Sequence, residues 1–285
     1  MNEFELIKNY FRKLSINNSS AKKLNDDVFF HKKKNLVLSV DTYNEGFHFV
    51  NFKHPKLIIK KIIRASISDL ICKGVKPKYI FISASGNKKS FTQKNLNLIS
   101  KSLNEEQKKY NLMLSGGDTT NSFKVSFTIT TVGFSDKIIE RNNAKNNDDI
   151  YITGNIGDSF LGLKIIKNKI KLNHKIKKYF FNQYYCPKPP YKIYKYLKKI
   201  ANTSIDVSDG LVSDMIKLIN NQKLFFHIDL NKVPISNMLK LYLIKYNKNK
   251  VSYLFYGDDY QVLFTSAKKN RKIIKNISKK MNHKI

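Results

Sequence analysis

The sequence has only two cysteines, Cys72 and Cys186, no tryptophan, eleven glycines, and few acids: 21 Asp and Glu against 53 Lys and Arg in 285 residues. The cysteines lie far apart, without CxxC spacing or a histidine at ligand spacing. That excludes a disulfide scaffold and a zinc site and fits a reducing cytoplasm. No apolar run reaches the ~20 residues needed to cross a bilayer. The opening MNEFELIKNYFRKLS is interrupted by charge, so neither a membrane span nor a signal peptide is expected; Phe4, Ile7, Phe11 and Leu14 read instead as one apolar helical face. Among the sparse glycines there is no GxxxxGK[ST]. The nearest approach, GDSFLGLK, has Gly157 and Gly162 at the right spacing but Leu163 where lysine belongs. No GxGxxG follows a strand either. Phosphate handling in such a chain has to rest on metal ions, with Arg141 or nearby lysines supplying direct charge. The missing tryptophan excludes nothing.

The surplus of base gives a formal net charge of +32, which invites a nucleic-acid reading because basic surfaces gain from counterion release. Its distribution argues against that. Runs such as HKKKN, IKNKIKLNHKIKK and NKNK are spread along the chain, interleaved with Asn and Ile, and read as solvated lysine faces. The aromatics occupy apolar-periodic positions, as a core does, rather than forming a base-stacking platform. No specific nucleic-acid partner and no membrane partner is expected.

What is present is an alternation of elements. Residues 35–41 and 78–85 read as strands, 55–74 as a helix ended by Gly74 and Pro77, and 111–115 as a strand running into GGDTT. A polar helix runs through Leu96, Ile99 and Leu103, and Phe123, Val125, Phe127 and Ile129 alternate as in a half-buried strand. The polar stretch 135–149 reads as a connection. Beyond it the pattern predicts strands at DIYITG, SIDVS, LFFHIDL and near QVLFTS, with helices at SFLGLKIIK, after Pro189 and Pro190, at LVSDMIKLI, and at the lysine-rich end. The length allows one large or two medium α/β domains, and two are expected: 1–137 and 138–285.

The acids are the most informative residues. Aspartate outnumbers glutamate 15 to 6, and ten acids fall in compact stretches: Asp26 and Asp27, Asp41, Asp69, Asp118, Asp158 with Asp206 and Asp209, and Asp258 with Asp259. Several stand at the carboxyl ends of apolar strands, where α/β sheets build sites. Hard oxygen ligands of this kind suit magnesium held together with nucleotide phosphates. Each piece also has an ordinary reading. Asp158 reads as an N-cap and Asp26 and Asp214 as solvated surface acids, whereas Asp41, Asp118 and Asp206 read equally as strand-end turns. His48 is either a packed strand-end histidine or a substrate contact.

In order and spacing, DDVFF, VLSVDTYNEGFHF, ASISDLICKGVKP, LSGGDTT, ERNNAKNNDDIYITGNIGDSFLGL, SIDVSDGLVSDM and YGDDYQVLFT resemble the thiamine-monophosphate kinase family, within the aminoimidazole-ribonucleotide synthetase and selenophosphate synthetase superfamily. The resemblance runs from about residue 4 to 266. It implies a two-domain α/β protein whose N-terminal mixed sheet (1–137) pairs across a homodimer and whose C-terminal α/β domain (138–285) is shortened at its end. ATP as co-substrate and several Mg²⁺ ions would lie between the domains, and ATP would phosphorylate thiamine monophosphate directly to thiamine diphosphate. Carried over by position, Asp27, Ser39, Val40 (through its carbonyl), Asp41, Asp69, Asp118, Asp206 and Asp209 match metal positions. Gly117, Asp118, Arg141 and Ser208 match ATP contacts, and His48 and Asp258 match thiamine-phosphate contacts. Asp258 stands where the family has glutamate. No general base is implied.

Two other classes are weighed against this one. Another ATP-using member of the superfamily would turn over ATP with a formylglycinamidine-type substrate or selenide; a selenophosphate synthetase is disfavoured because the reactive Cys or Sec near a glycine-rich N-terminal segment is missing. A basic nucleic-acid binder would show tight binding that collapses with salt.

Overall fold

The computed structural model describes residues 3–170 and 172–285. The elements run, in chain order, α1 (Glu3–Leu6), β1 (Phe29–His31), β2 (Leu36–Asn44), α2 (Pro55–Cys72), β3 (Pro77–Gly86), α3 (Gln93–Tyr110), β4 (Met113–Asn121), β5 (Ser126–Phe134), β6 (Asp149–Ile152), α4 (Asp158–Ile166), α5 (His174–Tyr185), α6 (Tyr194–Ile200), β7 (Thr203–Asp206), α7 (Leu211–Leu218), α8 (Asn237–Lys245), β8 (Val262–Ser266) and α9 (Arg271–Met281). They form a five-stranded sheet of order β1-β2-β5-β3-β4 and a three-stranded sheet of order β6-β8-β7, on either side of residues 135–148. In the first sheet only β3 and β4 pair in parallel.

α2 organises the molecule, because it touches both sheets as well as α3, α5 and α6. Proline at its first position costs no hydrogen bond and presets the helical φ. Its isoleucines Ile58, Ile59, Ile62, Ile63 and Ile67 are buried in one cluster with Phe127 and Ile129 of β5 and Val262 and Phe264 of β8. The polar residues Lys61, Arg64, Ser66 and Ser68 are buried as well, while Lys56 and Lys60 keep partial exposure beside Glu105. Each enclosed polar residue needs a partner.

Arg64 shows what that requires. Its Nε and Nη2 donate to both oxygens of Glu106 on α3, each at 2.8 Å, and its Nη1 donates to the Pro187 carbonyl at 3.1 Å. Glu106 is itself buried. Replacing Arg64 with alanine strands that carboxylate, and breaking such a pair costs about 3–5 kcal/mol. The Arg64→Ala variant is expected to melt about 10 °C lower, at ~2–4 °C per kcal/mol for a chain of this size; a calorimetric shift of only a degree or two would show the pair to be dispensable.

Several sequence expectations are corrected. LFFHIDL forms no strand: Leu224, Phe226 and Ile228 pack on the cluster around Leu254, and Phe225 turns outward, but no neighbouring strand offers its backbone a ladder. Phe123 is fully exposed, outside β5, so the predicted alternation begins only at Val125. The N-terminal apolar face does not become a buried helix. After α1 the chain runs through π and 3₁₀ turns, Phe11 and Leu14 are exposed, and the side chain of Phe4 lies outside the described residues. α5 arises within what reads in sequence as a lysine run, capped by the Asn173 side chain accepting from Ile176 N. Among the described residues no helix is long and apolar enough to cross a membrane.

Candidate active site

Ser66 and Asp69 on α2 and Lys73 at its C-cap follow one another at i, i+3 and i+7 and so share a face. β2 passes that face. Tyr43 on β2 meets the Ser66 hydroxyl at 2.8 Å and donates to Asp41 Oδ2 at 3.3 Å. From the second sheet, the carboxyl end of β7 brings Asp206, whose Oδ2 accepts from the Ser68 hydroxyl at 2.6 Å. Asp41, Asp69 and Asp206, remote in sequence, thus converge where α2 is clamped between two sheets.

Their electrostatics report the crowding. The Asp206 carboxyl is pushed up to about 7, chiefly by burial, with Asp214 and Asp41 adding to the rise and Ser68 and Arg141 opposing it. Burial likewise raises Asp69 well above the ordinary range, reinforced by Asp41 and Asp206 and opposed by Lys73 and the Ser39 hydroxyl. Ser39, buried on β2, stands beside this group. Three carboxylates that repel one another in a dry setting, with a hydroxyl beside them, are what a hard divalent cation would relieve. Among the described residues, however, no three such side chains already stand as a finished coordination shell, so a cation and its waters would complete the geometry.

Asp27 is differently placed. Its Oδ2 pairs with the Lys73 ammonium at 2.6 Å and its Oδ1 with the Arg141 guanidinium. Asp26 is no surface acid: it pairs with Lys73 at 2.7 Å and accepts from Arg141 N at 3.0 Å. Asp214 is also enclosed, its Oδ2 accepting from the backbone N–H groups of Asp209 and Gly210 at 3.0 and 3.1 Å, which ties down the turn into α7. Asp209 points outward to Lys217. Asp158 is not a cap. Gly157 occupies that position with φ +89°, while Asp158 is buried and accepts from Ser236 at 2.7 Å and Tyr179 at 2.8 Å.

Ser208 and Asp258 are brought together by backbone: Asp258 N donates to Ser208 O at 2.9 Å. The two Asp258 oxygens meet Tyr260 OH at 2.8 Å and Lys61 Nζ at 3.0 Å. Lys61, fully buried on α2, lies 3.5 Å from the centre of the Tyr184 ring, and Tyr184 OH donates to the His48 carbonyl at 3.1 Å. His48 is exposed; its Nδ1 accepts from Asn44 N at 2.9 Å and its ring meets Tyr43 edge-on. His48, Asp258 and the carboxylate group are therefore joined through Tyr43 and α2.

Gly117 and Asp118 stand apart on exposed β4; among the described residues no hydrogen bond or ion pair links Asp118 to the other carboxylates, and its Oδ1 accepts from Thr119 N at 2.7 Å. They line a cavity of about 460 Å³ closed by Ile82, Leu103, Leu114 and Phe127. A Cβ at Gly117 would lie 1.9 Å from the Ile82 carbonyl oxygen, so only glycine fits there. Val40 faces outward from β2, opposite Thr130.

Sequence reasoning missed Lys61, Lys73, Tyr43, Ser68, Tyr184 and Tyr260. Lys61 stands among the isoleucines of α2 and Lys73 caps the end of that helix.

Residues 25–135 match the model of the AIR synthase related protein N-terminal domain. The chain is 37% identical to the thiamine-monophosphate kinase of Buchnera aphidicola subsp. Schizaphis graminum over 278 residues, 95% of this chain and 85% of that protein. With the thiamine-monophosphate kinase of Escherichia coli K12 it shares 30% over 276 residues, 94% and 84% of the two chains. The crystal structure of thiamine monophosphate kinase from Aquifex aeolicus superposes with a TM-score of 0.84 at 29% identity, covering 94% of this chain and 88% of that one. A structure described as AaThiL complexed with AMPPCP and TMP superposes at 0.86 and 28%, covering 94% and 85%.

Proposed function

The chain belongs to the thiamine-monophosphate kinase family, and from that premise we propose how it carries the γ-phosphoryl of ATP onto thiamine monophosphate to give thiamine diphosphate and ADP. The observation that supports the assignment of the reacting centre is the meeting of Asp41, Asp69 and Asp206 at α2, with their mutual repulsion. Those carboxylates with the Ser39 hydroxyl would hold Mg²⁺, whose charge would offset the repulsion between the converging phosphates. The chain's own task is positioning, since loose phosphoryl transfer needs little acid or base chemistry.

The donor side follows from β4 and β7. The cavity beside Gly117 and Asp118 is apolar and of a size to take a flat base, which leaves the phosphates to run toward Ser208 and Arg141. On the acceptor side, His48 and Asp258 receive thiamine monophosphate, with Asp258 steadied by Lys61 and Tyr260. The boundary near residue 137 separates a nucleotide-holding domain from the one that brings Asp206 and Asp258. A second copy of the chain covers the sheet face opposite α2, where Val40 and Phe81 lie exposed on either side of Thr130 in one cross-strand row. Both cysteines are free thiols, consistent with the cytoplasm.

The test is product analysis: purified protein with thiamine monophosphate, ATP and Mg²⁺ should yield thiamine diphosphate and ADP in equal amounts. Asp41→Asn should lose at least ~10²-fold in turnover, the scale of removing one preorganised electrostatic contact. ATP consumption with a formylglycinamidine-type substrate and none with thiamine monophosphate would sink the reading.

A further inference from the structure

We propose that the Lys73 ammonium is a built-in replacement for a divalent cation at Asp26 and Asp27, so that Asp27, unlike Asp41, Asp69 and Asp206, ligates no metal ion. The inference rests on the divalent-cation reading given under Proposed function, but its content is a disagreement between that reading and one residue of the set.

The fit fails at Asp27 because its donors are already spent. Oδ2 receives Lys73 at 2.6 Å and lies 3.8 Å from the Cys72 thiol, while Oδ1 is held by Arg141. In the neighbouring carboxylate, Asp26 Oδ1 receives Lys73 at 2.7 Å and Asp27 N at 2.8 Å, and Oδ2 receives Arg141 N at 3.0 Å. Lys73 for its part uses all three N–H bonds, the third going to the Ser204 carbonyl at 2.9 Å. Two carboxylates meet two cations, so the local charge is already balanced. The Lys73 side chain has no exposure at all, and those of Asp26 and Asp27 are exposed by only 4% and 5%.

A buried ammonium needs this balance. Burial works against the Lys73 charge, but Asp26 and the other acids nearby outweigh it and raise its pKa. Mg²⁺ arriving at Asp27 would have to displace the ammonium from both carboxylates while keeping near-octahedral oxygen coordination beside it. One turn back along α2, the Asp69 carboxylate feels the Lys73 charge but makes no ion pair among the described residues. The helix therefore presents a fixed cation at its C-terminal end and room for an exchangeable one a turn earlier.

Mn²⁺ binding counted by electron paramagnetic resonance tests this on the full chain, in the presence of a non-hydrolysable ATP analogue. Asp27→Asn should leave the number of bound Mn²⁺ ions unchanged and their affinity within about twofold of wild type, whereas Lys73→Met should bind one more ion per chain. Loss of one ion in Asp27→Asn overturns the proposal, as does an unchanged count in a folded Lys73→Met. If Lys73→Met does not fold, the Asp27→Asn count decides alone. A wild-type chain that binds no Mn²⁺ with the analogue would overturn the metal reading of the whole site, a result distinct from either variant outcome.

Discussion

Replacing Asp206 with asparagine is expected to lower kcat/KM for thiamine diphosphate formation by about 10³-fold, the upper end of losses from one preorganised charge, and yet to raise the melting temperature of the metal-free protein. Burial and the neighbouring acids move the Asp206 carboxyl from its ordinary 3.8 to about 7. Between those values the folded chain holds a proton that the unfolded chain has released. Stability from this group is therefore fully present below the ordinary value and is lost as pH rises through about 7. Asparagine keeps an oxygen for the Ser68 hydroxyl and carries no charge to bury. The stabilisation should be largest at pH 8 and vanish near pH 4, in calorimetry run without divalent ions. Added Mg²⁺ should stabilise the wild type more than the variant, because a cation that binds only the folded state shifts the equilibrium by mass action. A variant with full activity, or one that melts lower at pH 8, would show that Asp206 is an ordinary structural carboxylate.

That trade between function and stability also marks where sequence could and could not be read. The strand-helix alternation is visible because β2, α2 and β3 carry recurring apolar positions, and Asp41 and Asp206 stand out as acids ending apolar runs. Asp26 and Asp214 looked like surface acids because nothing in their local sequence shows that Lys73 will reach Asp26 or that the Asp209–Gly210 turn will fold over Asp214. Lys61 and Lys73 were lost among 53 basic residues, since composition hides which lysine is interior. LFFHIDL kept a strand's side-chain alternation without its backbone pairing, and pairing depends on a partner that sequence pattern alone does not supply. Long-range contacts decide each of these cases.

Gly257→Ala is expected to reduce kcat/KM by about 10²-fold or more, the cost of misplacing a reacting group by ~1 Å. In GDDY this glycine reads as ordinary turn chemistry, but its position explains more. A Cβ there would lie 1.7 Å from the Ser208 carbonyl oxygen, 2.3 Å from its carbon and 2.7 Å from Asp209 N, all backbone atoms. Carbon needs roughly 3.5 Å from such neighbours, so the Asp258 turn would have to lift off the Ser208 loop by more than an ångström. The hydrogen bond from Asp258 N to Ser208 O, 2.9 Å long, would go with it. Ser208 faces the donor phosphates and Asp258 the acceptor in the mechanism proposed above, so the substitution pulls the two substrates apart without touching either one. The loss should appear in kcat and in KM for thiamine monophosphate more than in KM for ATP, because no residue of either loop lines the β4 cavity proposed to take the base. Steady-state kinetics with each substrate varied in turn separates the two effects. Wild-type kcat and KM in a folded Gly257→Ala chain would mean that the close approach of these loops does not set the distance between the reacting phosphates.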